Sequence, residues 1–189
     1  MAMNTRKRVT LLTSNPDKIR AAQEVFKKYD IEVEKTDLPF EEIQASSSEV
    51  AKRIVQEAYE KLKRPVLRED HSFFIGDTGI PGPYMNYFDK KIDVDSLISI
   101  LNALNLHEGY FELAAAFIDE TGKLHEYSYK VPVKLEAEAR GDEKQRWERI
   151  MRFPDEDKVF AEYPSTERTE VWTKNYEKIA QLIQDQETA

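Results

Sequence analysis

Two adjacent acids, Glu69 and Asp70, close the apolar run Pro65-Val66-Leu67 after an intervening Arg68, and a loop rich in Gly and Pro, Gly79-Ile80-Pro81-Gly82-Pro83-Tyr84, follows soon after. Carboxylates at the end of a strand are the hard oxygen donors that hold a divalent cation or position a water. A solvated acidic turn is the plain alternative for these residues taken alone. A second segment, Thr13-Ser14-Asn15-Pro16-Asp17-Lys18, offers the complementary charge. Backbone N–H groups at a helix start, three short polar side chains and an ammonium are the parts of a phosphate cradle. The ordinary reading of that segment is a capped helix with a surface lysine. It lacks the GxxxxGK[ST] pattern of a Walker A loop.

The elements that must position these groups can be read from hydrophobic spacing. Val9 to Leu12 reads as a buried strand; Asn15 is an N-cap, Pro16 suits the first helical position, and Ile19, Ala22, Phe26 and Tyr29 follow at helical intervals. Ile31 to Glu34 reads as a strand. Ser46 and Glu49 have capping-box spacing before a helix to about Lys63 that carries Val50, Ile54, Ala58 and Leu62 on one face. The run from Pro65 is expected to be a strand that stops at the two acids. Tyr84 to Lys91 and Asp93 to Leu104 read as helices, and Tyr110–Ile118 and Leu124–Val133 as an antiparallel hairpin turning at Thr121-Gly122. Residues 140–154 are very polar and show no clear period. A last helix is expected from about Glu167 to Gln184, burying Val171, Ile179 and Leu182 or Ile183. This order predicts an α/β fold, a mixed sheet covered by helices, in a single domain over residues 1–189.

Bulk properties narrow the function. The chain has 189 residues, 40% of them hydrophobic, enough for one sizeable core. A net charge of −8 argues against a nucleic-acid polymer as partner, because such binding draws on a basic face. No stretch is long and apolar enough for a membrane span, and the first residues are too polar for a signal peptide, so a cytoplasmic protein is expected. Without cysteine there is no disulfide, thiolate ligand or cysteine nucleophile. His71, His107 and His125 lack ligand spacing, so no zinc site is expected.

The Thr13-Ser14-Asn15-x-x-Lys18 start, Glu42-Ile43-Gln44, Pro65-Val66-Leu67-x-Glu69-Asp70, Pro81-Gly82-Pro83-Tyr84 and Phe160-Ala161-Glu162 together resemble the inosine triphosphate pyrophosphatase family, the non-canonical purine NTP pyrophosphatases. The resemblance runs in order along nearly the whole chain. It implies an elongated mixed sheet in two lobes with a central substrate cleft, usually as a homodimer, hydrolysing a nucleoside triphosphate to the monophosphate and pyrophosphate with Mg²⁺. Carried over by position, Asp70 is a catalytic group and metal ligand, Glu69 its helper and Glu42 the second metal carboxylate. Thr13, Ser14, Asn15 and Lys18 hold the phosphates.

Departures from the family pattern fall mainly on the base-reading side. Ile54 stands where relatives carry a phosphate-binding lysine, with Lys52 and Arg53 just before it. The family's Phe-Gly-Trp/Tyr-Asp-Pro aligns with Gln145-Arg146-Trp147-Glu148-Arg149, and its Ser-His-Arg with Trp172-Thr173-Lys174. Trp147, Glu148 and Lys174 are therefore the expected base contacts, and Lys lacks the planar fork of Arg. The expectation is a pyrophosphohydrolase with a rewritten base pocket, for a non-canonical purine or another modified nucleotide. The rival is a catalytically weak relative that binds a nucleotide as a sensor or regulatory subunit.

Overall fold

The computed structural model describes residues 7–36, 38–40, 43, 45–164 and 169–186. Its elements are β1 (Lys7–Leu12), α1 (Pro16–Lys27), β2 (Ile31–Thr36), α2 (Ser47–Leu62), β3 (Val66–Ile75), β4 (Pro81–Gly82), α3 (Met85–Lys91), α4 (Val94–Leu104), β5 (Glu108–Ile118) and β6 (Leu124–Leu135). A 3-10 stretch (Glu143–Ile150), β7 (Met151–Arg152), a 3-10 turn (Phe160–Glu162), α5 (Thr169–Trp172) and α6 (Lys174–Asp185) complete the chain. The strands form a mixed sheet in the order β2-β1-β3-β5-β6-β7, with β4 on β3. No helix among the described residues is long and apolar enough to cross a membrane.

The described residues divide into two compact units. One takes the chain up to Asp70, then Leu113–Ser128 and the C-terminal stretch from Thr169; the other takes His71–Glu112 and the chain from Tyr129 to Pro164. In the first unit β1 lies parallel to both β2 and β3, with Leu11 level with Leu67. Alternation along the strands supplies two apolar faces. Val9, Leu11, Leu67, Ala115 and Phe117 pack with Phe26 of α1 and Tyr176, Ile179 and Ile183 of α6. Leu12, Val66, Ala116 and Ile118 face the other way, onto Ala51, Val55 and Ala58 of α2.

Helix ends follow the local chemistry. Asn15 caps α1 by accepting from the N–H groups of Asp17 and Lys18. Ser46 and Glu49 close a reciprocal capping box on α2, which ends at Lys63 in the left-handed region. The β5–β6 turn is tied by Asp119, whose carboxylate accepts from the Thr121 N–H and hydroxyl, the Lys123 N–H, His125 and Gln186.

In the second unit Phe73, Ile75, Leu97, Leu101, Val133, Leu135, Trp147, Ile150 and Met151 form one core. Gly141, at φ +78°, runs so close to Ala161 that a Cβ would stand 2.4 Å from its carbonyl oxygen.

The structure departs from the sequence expectation in three places. The third strand does not stop at the acids: β3 continues through Glu69 and Asp70 to Ile75, because buried Phe73 and Ile75 extend its apolar side. The polar stretch 140–154 acquires structure from burial of Trp147, Ile150 and Met151, which give it a 3-10 course and a short strand antiparallel to β6. The last helix is broken at Thr173, whose φ and ψ of −112° and 2° separate α5 from α6; Ile183 is buried and Leu182 only partly so.

Candidate active site

Within the first unit, the parallel pairing of β1 with β3 sets the turn after β1 beside residues 68–70. Lys18, on the first turn of α1, donates through Nζ to the backbone carbonyl of Glu69 at 3.0 Å. Burial pushes the Lys18 ammonium below the ordinary lysine value, while the charges of Glu69 and Asp70 hold it up and Arg68 opposes them. An ammonium has three donors, and one is used by that carbonyl.

The two acids alternate along β3 and so differ in environment. Glu69 is 2% exposed. The Asp70 side chain keeps about a fifth of its surface open. Its Oδ2 accepts from the hydroxyl of Ser47, the first residue of α2, at 2.7 Å. Its Oδ1 stands 3.9 Å from Arg68 Nη2, an ion-pair separation beyond hydrogen-bond reach. Arg68 in turn donates through Nη1 to the Leu12 carbonyl at 2.7 Å.

The Thr13–Asn15 turn is ordered by its own side chains. Thr13 is 7% exposed and its Oγ1 accepts from the Asn15 N–H at 3.1 Å. Asn15 Oδ1 accepts from Asp17 and Lys18, the Ile19 N–H bonds to the Asn15 carbonyl, and Pro16 has no N–H. The expected open row of helix N–H donors is therefore already satisfied by the cap. What the turn leaves exposed is Ser14, with the partly buried Lys18 beside it.

The residues expected to read the base are placed differently. Trp147 is 1% exposed, sits in the core of the second unit, and donates its indole N–H to the Ile92 carbonyl at 2.8 Å. A ring buried in this way offers no face for stacking, which corrects the expectation of an open aromatic platform. Beside it Glu148 is exposed, whereas Lys174, also exposed, belongs to the first unit. Glu42 lies outside the described residues.

Sequence reading passed over Ser47 and Arg68. No local signal connects Ser47 with Asp70, which is 23 positions away. Arg68 was legible in principle, since residues two apart on a strand share a face.

The fold and site define an α/β protein whose parallel strands gather an ammonium, a guanidinium and a partly exposed carboxylate, a set suited to a phosphorylated ligand. A model of the Ham1 family matches residues 9–181, and the chain belongs to that family. It is 34% identical over 139 residues to the dITP/XTP pyrophosphatase of Ignicoccus hospitalis, covering 72% of this chain and 74% of that protein. It is 28% identical over 178 residues to the dITP/XTP pyrophosphatase of Methanopyrus kandleri, covering 92% and 95%. The same fold is seen in a HAM1 protein from Coxiella burnetii, with a TM-score of 0.80 at 17% identity over 95% of this chain and 99% of that one. The Staphylococcus aureus Ham1 protein superposes with a TM-score of 0.76 at 18% identity, over 96% and 100%.

Proposed function

We propose that this protein hydrolyses a nucleoside triphosphate to the monophosphate and pyrophosphate. The observation that supports this reading is the meeting of Lys18 and Asp70: a helix-borne ammonium bonds to the carbonyl preceding a partly exposed carboxylate on the neighbouring strand. Ammonium and carboxylate at such a spot serve the two needs of phosphoanhydride cleavage, neutralising charge on the leaving side and orienting water on the attacking side.

In the reaction a water oxygen bonds to the α-phosphorus while the bond to the oxygen bridging to the β-phosphorus breaks. Pyrophosphate leaves with that oxygen, and a proton of the water is released. Asp70, held by the Ser47 hydroxyl, orients the water. Lys18, anchored on the Glu69 carbonyl, draws the phosphates toward β3, with Ser14 at the turn. Thr13 and Asn15 keep that turn in shape through their hydrogen bonds to it. Glu69, buried beside them, opposes the lowering of the Lys18 pKa by burial.

The donor set fits Mg²⁺, a hard cation that takes one or two carboxylates and leaves room for phosphate oxygens. Asp70 would hold it, with Glu42 as the second carboxylate. When bound it supplies charge neutralisation on the phosphate oxygens. The resemblance behind this reading also carries a homodimeric assembly, and the cytoplasmic setting expected from the sequence goes with it. Relatives named dITP/XTP pyrophosphatase make deaminated purine triphosphates the first substrates to try.

The test is a panel of canonical, deaminated and modified triphosphates incubated with the protein and Mg²⁺, resolving pyrophosphate from orthophosphate. Pyrophosphate from one nucleotide class is expected. Orthophosphate alone, or nucleotide binding without turnover, would overturn the reading, the latter in favour of a nucleotide sensor.

A further inference from the structure

We infer that Arg68 is a phosphate-binding residue of this site, taking the place of the cation that α2 does not supply. The inference rests on the proposed hydrolase reading for its ligand, a di- or triphosphate chain, and on three observations for its geometry.

The first concerns α2. Where the sequence resemblance calls for a phosphate-binding lysine, Ile54 is 8% exposed and packed among Leu12, Val55, Ala58 and Val66. Its cationic neighbours are engaged with other acids: Lys52 Nζ with Glu126 at 3.1 Å and Arg53 Nε with Glu57 at 2.8 Å. The helix therefore brings no cation to position 54.

The second concerns the guanidinium itself. Its Nη1 is spent on the Leu12 carbonyl, which fixes the plane of the group. Its Nε is buried and meets no hydrogen-bond acceptor, and its Nη2 is 3.9 Å from the nearest Asp70 oxygen. Nε and Nη2 lie on one edge of the guanidinium, so two parallel donors are left unpaired side by side. That edge is the fork that binds two oxygens of one phosphate, and a buried donor left without an acceptor is costly unless a ligand supplies one. About a quarter of the side chain remains open to solvent.

The third concerns position. Arg68 shares a strand face with Asp70, and its charge is close enough to be felt at Lys18, itself bonded to the intervening residue's carbonyl. One phosphate chain lying along these residues would meet two cations flanking one carboxylate.

The experiment is calorimetric titration of the full chain, in Mg²⁺, with inorganic pyrophosphate, comparing wild type with Arg68→Gln and Arg68→Lys. Melting temperatures confirm that each is folded, and an unphosphorylated nucleoside serves as control. Arg68→Gln is expected to weaken pyrophosphate binding by about tenfold or more. Arg68→Lys should recover only part of that loss, because it restores the charge and not the fork. Nucleoside binding should not change. Should Arg68→Gln not fold, a tenfold fall in Arg68→Lys alone would support the proposal. Pyrophosphate affinity within twofold of wild type in the folded variants overturns it, as does a wild type that binds no pyrophosphate. If wild type releases no pyrophosphate from any triphosphate yet binds it through Arg68, the hydrolase reading fails while the role of Arg68 stands.

Discussion

The neighbourhood of Asp70 in the first unit and that of Trp147 in the second use polar groups in opposite ways. Around Asp70, side chains from β3, α1 and α2 meet with donors to spare: the Arg68 edge lacks an acceptor and Lys18 has used one of its three N–H bonds. Around Trp147 most polar groups hold the chain together, the buried Arg149 Nε, which meets no acceptor, being the exception. The indole N–H bonds to Ile92, the Trp147 N–H to Asp89, and Arg146 bonds through Nε to both the carbonyl and the carboxylate of Asp89. Arg146 does so at φ 43° and ψ −117°, a region suited to glycine. A segment that spends its aromatic ring and most of its hydrogen bonds on packing is held in one shape, whereas a cluster of cations with unpaired donors beside a carboxylate can take a ligand.

The sharpest way to break this contrast is Trp147→Ala. As a core residue it should lose about 3–5 kcal/mol on truncation, read as a shift in a urea unfolding midpoint. If instead stability holds and only KM for the nucleotide rises, Trp147 is a binding face and the contrast collapses. Asp70→Asn should do the reverse, lowering turnover by roughly 10²-fold or more with little change in melting temperature. Near wild-type pyrophosphate release in that variant would sink the site assignment.

Two turns give smaller effects. Burial would raise the Asp119 carboxyl, but hydrogen bonds from Thr121, His125, Gln186 and the Lys123 N–H outweigh it and hold the group well below the usual carboxylate range. A carboxyl with a depressed folded-state value adds stability that is fully present above its unfolded value of ~3.9 and is lost as the pH falls below it. Asp119→Asn should therefore cost about 2 kcal/mol at neutral pH. The difference between variant and wild type should close as the unfolding measurements are taken below about pH 4; a gap that persists in acid would mean that the ionised form is not what stabilises the turn. Arg146→Gly is the smallest change. Relief of a conformation costing ~1–3 kcal/mol offsets the lost bonds to Asp89, so stability should move by only about 1 kcal/mol either way. A much larger loss would show that the second unit depends on the Asp89 tie more than on its backbone.

Much of the scaffold was readable from spacing and caps: Asn15 and Pro16 opening α1, the Ser46–Glu49 capping box, and the turn at Thr121-Gly122. These signals are local, since a cap or a tight turn is decided by residues within a few positions of one another. The breaks in the reading came where burial is decided at a distance. β3 runs on past the acids because Phe73 and Ile75 find a core made by α4, β6 and the 143–151 stretch, so the strand's length depends on partners far along the chain, from Leu97 to Met151. The polar run 140–154 takes its form from Trp147, Ile150 and Met151 for the same reason.

The site divides along the same line. By itself the sequence determined which chemical groups are available: the Glu69-Asp70 pair, the Thr13–Lys18 turn, and the absence of any thiol. How they are used is settled by folding. Parallel pairing of β1 with β3 brings Lys18 to the Glu69 carbonyl, the start of α2 delivers Ser47 to Asp70, and packing closes over Trp147 while leaving one edge of Arg68 unpaired. Residue type sets what a side chain can donate or accept, but whether an atom is spent or free depends on neighbours that the chain supplies only when folded.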